Sequence, residues 1–227
     1  MSIDVILLEP ESPGNIGSVA RVMKNFGFEN LVLVNPCEIN DETRGFAMHG
    51  WDLVKYARVL DKIPWKEYDF LVGTSGKTAR RNVVRNYTTP EELRSVLNKR
   101  DLREAKIGIL FGRESRGLTN DELGRCDIVC RIPTHKDYPI MNISHAVAVI
   151  LYELSRVEEG QEKLSSREQR EEMQKVFKGI INILDYPEIK KEKAYNVLKN
   201  LIGKSLLTKD EFSSLIGIFR RIKKCLK

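Results

Sequence analysis

Apolar and polar residues follow two different periods along the chain, and the change of period divides it. Up to about residue 158, short apolar runs alternate with amphipathic stretches. Ile3-Asp4-Val5-Ile6-Leu7-Leu8 is apolar at nearly consecutive positions, the pattern of a strand covered on both faces. Residues 31–34, 70–73, 107–111 and 128–132 read the same way. After Gly14, residues Ile16, Val19, Ala20, Met23 and Phe26 recur at helical spacing, and Gly27 supplies a stop. Thr89-Pro90-Glu91-Glu92 combines a capping Thr, a Pro at the first helical position and a carboxylate at the third, and Thr119-Asn120-Asp121-Glu122 repeats the logic. Residues 51–60 carry a weaker pattern. A long helix from about residue 142 to 157 places Val147, Ile150, Leu151 and Leu154 on one face. Strands alternating with helices predict an α/β domain over residues 1–158, with a mainly parallel sheet.

Beyond Glu158 the period is wholly helical. One stripe is Met173, Val176, Phe177, Ile180, Ile181 and Leu184, and a second is Ala194, Val197, Leu198, Leu201 and Ile202. Thr208-Lys209-Asp210-Glu211 caps a third helix whose stripe is Phe212, Leu215, Ile216, Phe219 and Ile222. Residues 159–168 read as a linker and 169–227 as a small all-helical extension, whose own core is marginal for its size.

Charge changes the picture next. The net charge is +6, but residues 167–227 hold 15 Lys/Arg against 8 Asp/Glu, so the basic excess lies in the extension. A second basic stretch, residues 74–89, contains Lys77, Arg80, Arg81 and Arg85 and no acid. Both suit polyanion binding, in which each neutralised phosphate releases counterions; a solvated helical surface accounts for the first equally well. No apolar run approaches ~18 residues, so no membrane span is expected. Met1-Ser2-Ile3-Asp4-Val5 lacks a basic region before an apolar stretch. The four cysteines, Cys37, Cys126, Cys130 and Cys225, are scattered without disulfide or zinc-ligand spacing. A cytoplasmic protein with reduced thiols and no metal is the expectation.

Three segments use glycine or polar residues where a plain fold would not need them. Pro10-Glu11-Ser12-Pro13-Gly14-Asn15-Ile16-Gly17-Ser18-Val19-Ala20-Arg21 follows a strand and opens a helix, placing Asn15 and Arg21 near a strand's carboxyl end. Leu110-Phe111-Gly112-Arg113-Glu114-Ser115-Arg116-Gly117-Leu118 ends a strand in a glycine and sets two opposite charges at the sheet edge. Ile132 to Ala148 holds a loop with two prolines and Asn142 at the mouth of a helix, where backbone groups could read an adenine edge. His145 on that helix reads as a satisfied structural side chain. Gly76-Lys77-Thr78 is no nucleotide-binding P-loop, because Leu71 stands where that loop needs glycine.

In this order, on strand-to-helix junctions of one α/β domain, the three segments resemble the motifs of the SPOUT superfamily of RNA methyltransferases, and most closely its TrmH/SpoU branch. Gly14-Asn15-Ile16-Gly17-Ser18-Val19-Ala20-Arg21, Val72-Gly73-Thr74-Ser75, Phe111-Gly112-Arg113-Glu114-Ser115-Arg116-Gly117-Leu118 and Met141-Asn142-Ile143-Ser144 carry the likeness, which spans about residues 1–158. Within the branch the chain is most similar to the enzymes that 2′-O-methylate nucleotide 32 of the tRNA anticodon loop. The resemblance implies a SPOUT-type parallel sheet with a C-terminal deep trefoil knot, a homodimer with composite active sites, tRNA as partner and S-adenosyl-L-methionine as cofactor. It also implies that Thr74, Ser75, Gly76, Gly112, Ile132, Pro139, Ile140 and Met141 hold the cofactor, and that Asn15, Arg21, Glu114 and Asn142 frame the reaction. RNA contacts are expected from Lys77, Arg80, Arg81, Arg85, Arg113 and Arg116. Relatives commonly have Ser-Ser-Leu-Asn where this chain has Pro139-Ile140-Met141-Asn142, so contacts made by those hydroxyls must pass to backbone atoms. Two alternatives stay open: 2′-O-methylation of rRNA, and an RNA-binding module of the same fold without activity.

Overall fold

The computed structural model describes residues 2–76, 87–158 and 160–226. The chain runs through β1 (Ser2–Leu8), α1 (Pro13–Asn25), β2 (Asn30–Val34), α2 (Asp41–Ala47), α3 (Trp51–Lys55), β3 (Arg58–Leu60), β4 (Phe70–Thr74), β5 (Tyr87–Thr88), α4 (Pro90–Leu97) and β6 (Arg100–Asp101). It continues through β7 (Lys106–Phe111), α5 (Asn120–Arg125), β8 (Ile128–Cys130), α6 (Ile143–Leu154), β9 (Glu162–Lys163), α7 (Arg167–Ile183), α8 (Glu188–Ser205) and α9 (Lys209–Cys225). The expected α/β class is observed. Seven strands form one sheet in the order β3-β2-β1-β7-β4-β8-β5, and every pairing in it is parallel.

Parallel strands must be covered on both faces, and the side-chain parity of β1 shows how. Ile3, Val5 and Leu7 pack with Ile16, Val19, Ala20 and Met23 of α1 and with Val147, Ile150, Leu151 and Leu154 of α6. Ile6 and Leu8 point the other way, to Val32, Val34, Tyr68, Leu71, Leu110 and Cys126. Each such fully buried aliphatic side chain contributes about 1.5–3 kcal/mol relative to exposure. The helices start where their caps dictate. Thr89, Thr119, Ser166 and Thr208 each form a reciprocal capping box, as does Asn40 with Thr43 at the start of α2, a helix the apolar pattern does not reveal.

The sheet order reverses direction between β1 and β7. The connection from β1 leads to β2 on one side, whereas β7 leads to β8 on the other. Ligands of open α/β sheets bind outside the carboxyl ends of the strands at such a switch point.

The extension forms its own small core of Met173, Ile202, Leu207, Phe212 and Ile216. Its predicted stripes are only partly covered: Leu184, Val197, Leu201, Leu215 and Ile222 stay exposed. The predicted linker is no free tether. Within it β9 pairs with β6, Ser165 donates to the Leu207 carbonyl, and Leu164 bridges to Thr208. The extension is fastened to the sheet by cations seated on backbone carbonyls. Arg170 donates to the carbonyls of Ser165 and Asp69, Lys199 to that of Gly124, and Arg100 to that of Ser205 at 2.6 Å. Part of the basic excess of the extension is therefore turned inward. No helix among the described residues is long and apolar enough to cross a membrane.

Candidate active site

The three motif segments meet at the switch point. Ser12 caps α1, accepting from the Asn15 amide, and Pro13 opens the helix, so Asn15 sits in the first turn, just beyond β1. Asn142 caps α6, and its Oδ1 accepts from the Ser144 amide at 2.9 Å and from the Ser144 hydroxyl at 2.8 Å. With its oxygen committed to the cap, Asn142 must turn its NH2 outward, and that group donates to Asn15 Oδ1 at 3.1 Å. Asn15 then has only its own NH2 left to offer, which donates to Glu114 Oε1 at 2.9 Å. The relay has one direction, set by the helix cap at one end and ending on an acceptor-only carboxylate at the other. Glu114 Oε2 also accepts from the Glu11 amide at 2.9 Å. Residues 99 and 127 positions apart are thereby joined side chain to side chain.

Glu114 stands on a tight turn after β7. The Gly117 amide donates to the Arg113 carbonyl at 2.8 Å, Gly117 has a φ of +70°, and a Cβ on Gly112 would overlap the Gly117 backbone. Glycine at both ends allows the chain to fold back this closely.

Arg21 does not join the relay. It is exposed on α1, six residues on from Asn15, and among the described residues it has no hydrogen bond or ion pair. His145 is exposed on α6 and is no packed histidine. Arg116 is also exposed, as an RNA contact requires, and leans on Glu9 at 3.3 Å. Arg113 corrects its expected role: its side chain is 6% exposed, enclosed by Glu9 and Glu122, so it cannot face a phosphate backbone. Lys77, Arg80, Arg81 and Arg85 lie outside the described residues.

The expected cofactor residues line the same sheet edge. Ser75 follows β4 and its amide donates to the Cys130 carbonyl at 3.1 Å. A Cβ on Gly76 would lie 3.4 Å from the Pro139 carbonyl oxygen and 3.6 Å from Ile140 Cα, so the loops after β4 and before α6 close on each other. The hydroxyl of Thr134 donates to that Pro139 carbonyl at 2.9 Å and so holds the loop. Half-buried Ile132 and Met141 add apolar wall. Backbone carbonyls and amides beside apolar side chains fit an adenine edge and a thioether-like chain.

Four residues of this edge went unremarked as site residues in the sequence: Glu9, Glu11, Ser115 and, beyond its capping role, Glu122. Acids spaced two apart just past a buried strand, opposite Arg113-Glu114-Ser115, were the available signal.

A parallel sheet with these polar groups gathered at its switch point suits a SpoU-type RNA methylase, and the sequence places the chain in that class. Residues 2–152 match the model of the SpoU rRNA Methylase family, and the chain belongs to that family. Among curated relatives, it is similar to the tRNA (cytidine-2′-O-)-methyltransferase TrmJ of Methanocaldococcus jannaschii, with 37% identity covering 96% of this chain and 98% of the relative. The protein of the same name from Sulfolobus acidocaldarius is 31% identical over 98% of this chain and 94% of its own length. Among solved structures, TrmJ from Z. mobilis ZM4 superposes with a TM-score of 0.67 at 25% identity, covering 98% of this chain and all of that one.

Proposed function

We propose that the chain is an S-adenosyl-L-methionine-dependent 2′-O-ribose methyltransferase of tRNA, acting at nucleotide 32 of the anticodon loop. The Asn142–Asn15–Glu114 relay carries the reading, because it gathers one residue from each motif at the point where the sheet order reverses. The names of the M. jannaschii and S. acidocaldarius relatives support tRNA and the 2′-oxygen. Residues 1–158 carry the chemistry in this reading, 159–168 connect, and 169–227 add basic surface for the tRNA body. The protein works in the cytoplasm as a homodimer.

Thr74, Ser75, Gly76, Gly112, Ile132, Pro139, Ile140 and Met141 would hold S-adenosyl-L-methionine, which supplies an activated methyl group on a sulfonium. The protein's own task is then positioning and charge stabilisation. The ribose 2′-hydroxyl must be held in line and must lose its proton. The relay presents amide groups of fixed polarity to that hydroxyl, and Glu114 fixes the polarity. Arg21 is exposed and has no side-chain partner among the described residues, so its planar fork is available to a phosphate next to the target ribose and to the alkoxide that develops there. A guanidinium hardly ever gives up its proton, so Arg21 acts as a clamp and the proton leaves through phosphate or water.

The test incubates the protein with methyl-labelled S-adenosyl-L-methionine and unmodified tRNA transcripts, then locates the label by nuclease digestion and mass spectrometry. Label on the 2′-oxygen of nucleotide 32 is expected. Label only on rRNA fragments would keep the chemistry and overturn the substrate, and no label on either RNA would favour a silent binding module.

A further inference from the structure

The parallel register of β1 and β7 does not stop at the ends of the strands. Leu7 lies beside Phe111, an offset of 104 residues. Two residues on, the carboxylate of Glu9 takes the Arg113 guanidinium in a two-point grip, from Nε at 2.6 Å and from Nη2 at 2.7 Å, at the same offset. Two further on, the Glu11 carboxylate accepts from the amide and hydroxyl of Ser115 at 3.0 and 2.6 Å, again at 104. The ladder of backbone bonds is thus continued by a ladder of side chains.

The first rung is anchored at both ends. Glu9 has a φ of +47°, uncommon for a side chain of its kind, and its amide donates to the Val34 carbonyl at 2.7 Å, tying it to β2. Arg113 Nη1 reaches both oxygens of Glu122 at 3.2 Å, and Glu122 is pinned in turn by the Thr119 amide at 2.7 Å. One buried guanidinium therefore joins the end of β1, the turn after β7 and the start of α5. The residue between the rungs on the β7 side is Glu114.

We propose that Glu9 and Arg113 are positioning residues for methyl transfer, whose paired charges set the separation of the two loops and so hold Glu114 against Asn15. The catalytic consequence rests on the methyltransferase reading above; the mechanical one does not. A misplacement of ~1 Å in such a group costs on the order of 100-fold in rate, and neither Glu9 nor Arg113 needs to touch RNA to cause it.

The test compares the full-length protein with Glu9→Gln, Arg113→Lys, Glu9→Asp and the Gln/Lys double variant. Hydrogen exchange of the Glu11 and Ser115 amides reads the loops directly, and turnover with tRNA reads the consequence. In Glu9→Gln and Arg113→Lys both amides should exchange at least about 10-fold faster while peptides of β1 and β7 are unchanged. Turnover at saturating tRNA should fall roughly 10–100-fold with KM little altered. The double variant should be no worse than the poorer single one, since the two act as one unit. Glu9→Asp, which keeps the charge on a shorter arm, should recover part of both losses. Unchanged exchange at both amides overturns the proposal whatever the activity. Faster exchange throughout the sheet, faster loop exchange with turnover unchanged, or a raised KM with turnover preserved overturns it as well; the last would make Arg113 an RNA contact. If the unaltered protein methylates no RNA but the loop amides respond as expected, the positioning stands and the methyltransferase reading falls.

Discussion

Three arginines are buried among the described residues, Arg100, Arg113 and Arg170, and the surroundings of the last two differ in kind. Arg113 faces two carboxylates that meet most of its donors, and its guanidinium is held in the charged form by Glu9 and Glu122 against the cost of burial. Arg170, 1% exposed, faces the carbonyls of Ser165 and Asp69, with the nearest carboxylate oxygen, on Asp127, 3.7 Å from Nε. That Nε has no hydrogen-bond partner, and burial pushes the group's pKa down. One arginine is neutralised by design of the loops around it; the other is a cation set into backbone dipoles. The first is a device of geometry at the site, and the second is a fastener. Stability is therefore expected to depend most on Arg170 and catalysis on the neighbours of Arg113.

The largest effect tests the fastener. Arg170→Ala strips two buried carbonyls and Asp127 of their partner, and unfolding in denaturant should show a loss of about 3–5 kcal/mol. Methyl transfer by the protein that remains folded should stay within about threefold of normal, since no relay residue touches Arg170. A collapse of turnover without loss of stability would break the division of labour. Next, Glu114→Gln turns one of the two oxygens that accept from Asn15 and from the Glu11 amide into a donor, so the two contacts can no longer both form. Turnover should fall on the order of 100-fold, with the unfolding midpoint nearly unmoved. An activity loss matched by an equal loss of stability would show that the two regions do not differ as described.

Acidity separates them further. Arg113 holds the Glu9 carboxyl below its ordinary value of 4.5. Glu122 is also held below 4.5: burial opposes its ionisation, but the Arg113 guanidinium and the Thr119 amide outweigh it. A carboxyl whose folded pKa is depressed adds stability that is complete above its unfolded value and is lost as pH falls through its folded value. The difference in thermal midpoint between wild type and Glu9→Gln should hold at neutral pH and shrink below about 4.5. The carbonyl contacts of Arg170 do not titrate in that window, so the Arg170→Ala difference should keep its contacts-only part there. The smallest effect concerns thiols. Cys126 is buried, and burial pushes its pKa up; that of Cys130 is pushed up to about 12. At pH 8 an alkylating reagent should modify exposed Cys225 and spare both. In Arg170→Ala, Cys126 should begin to react while Cys130, within the sheet, stays protected.

The contrast between the arginines also marks how far the sequence could be read. Strands announced themselves because burial on both faces makes them continuous apolar runs, and α4, α5 and α9 because their capping boxes are local. Asn40 and Thr43 form a box as well, but Thr at the third position is a weaker sign than Glu, and the seven residues of α2 carry no apolar period. The two-residue strands β5, β6 and β9 exist only because a neighbour is present. At the site, Asn15, Glu114 and Asn142 were legible as polar residues on strand-to-helix junctions. The burial of Arg113, Arg170 and Lys199 was not, since a charged side chain defaults to the surface unless a partner is known. Those partners lie 104 residues from Arg113, 101 from Arg170 and 75 from Lys199.

The place of β1 in the sheet bears on how the chain must be made. Its partner on one side, β7, pairs Ser2 with Lys106, so the middle of the sheet cannot close until the chain has been synthesised past Lys106. At roughly 5–20 residues per second, the Val5–Leu8 stretch waits on the order of 5–20 s on the ribosome with β2 as its early strand partner and α1 over one face. Chain closure over such a separation is slow in any case. Conditions that quicken elongation, or dilute the helpers that shield nascent apolar strands, should therefore lower the yield of native protein more than the modest surface of the molecule would suggest.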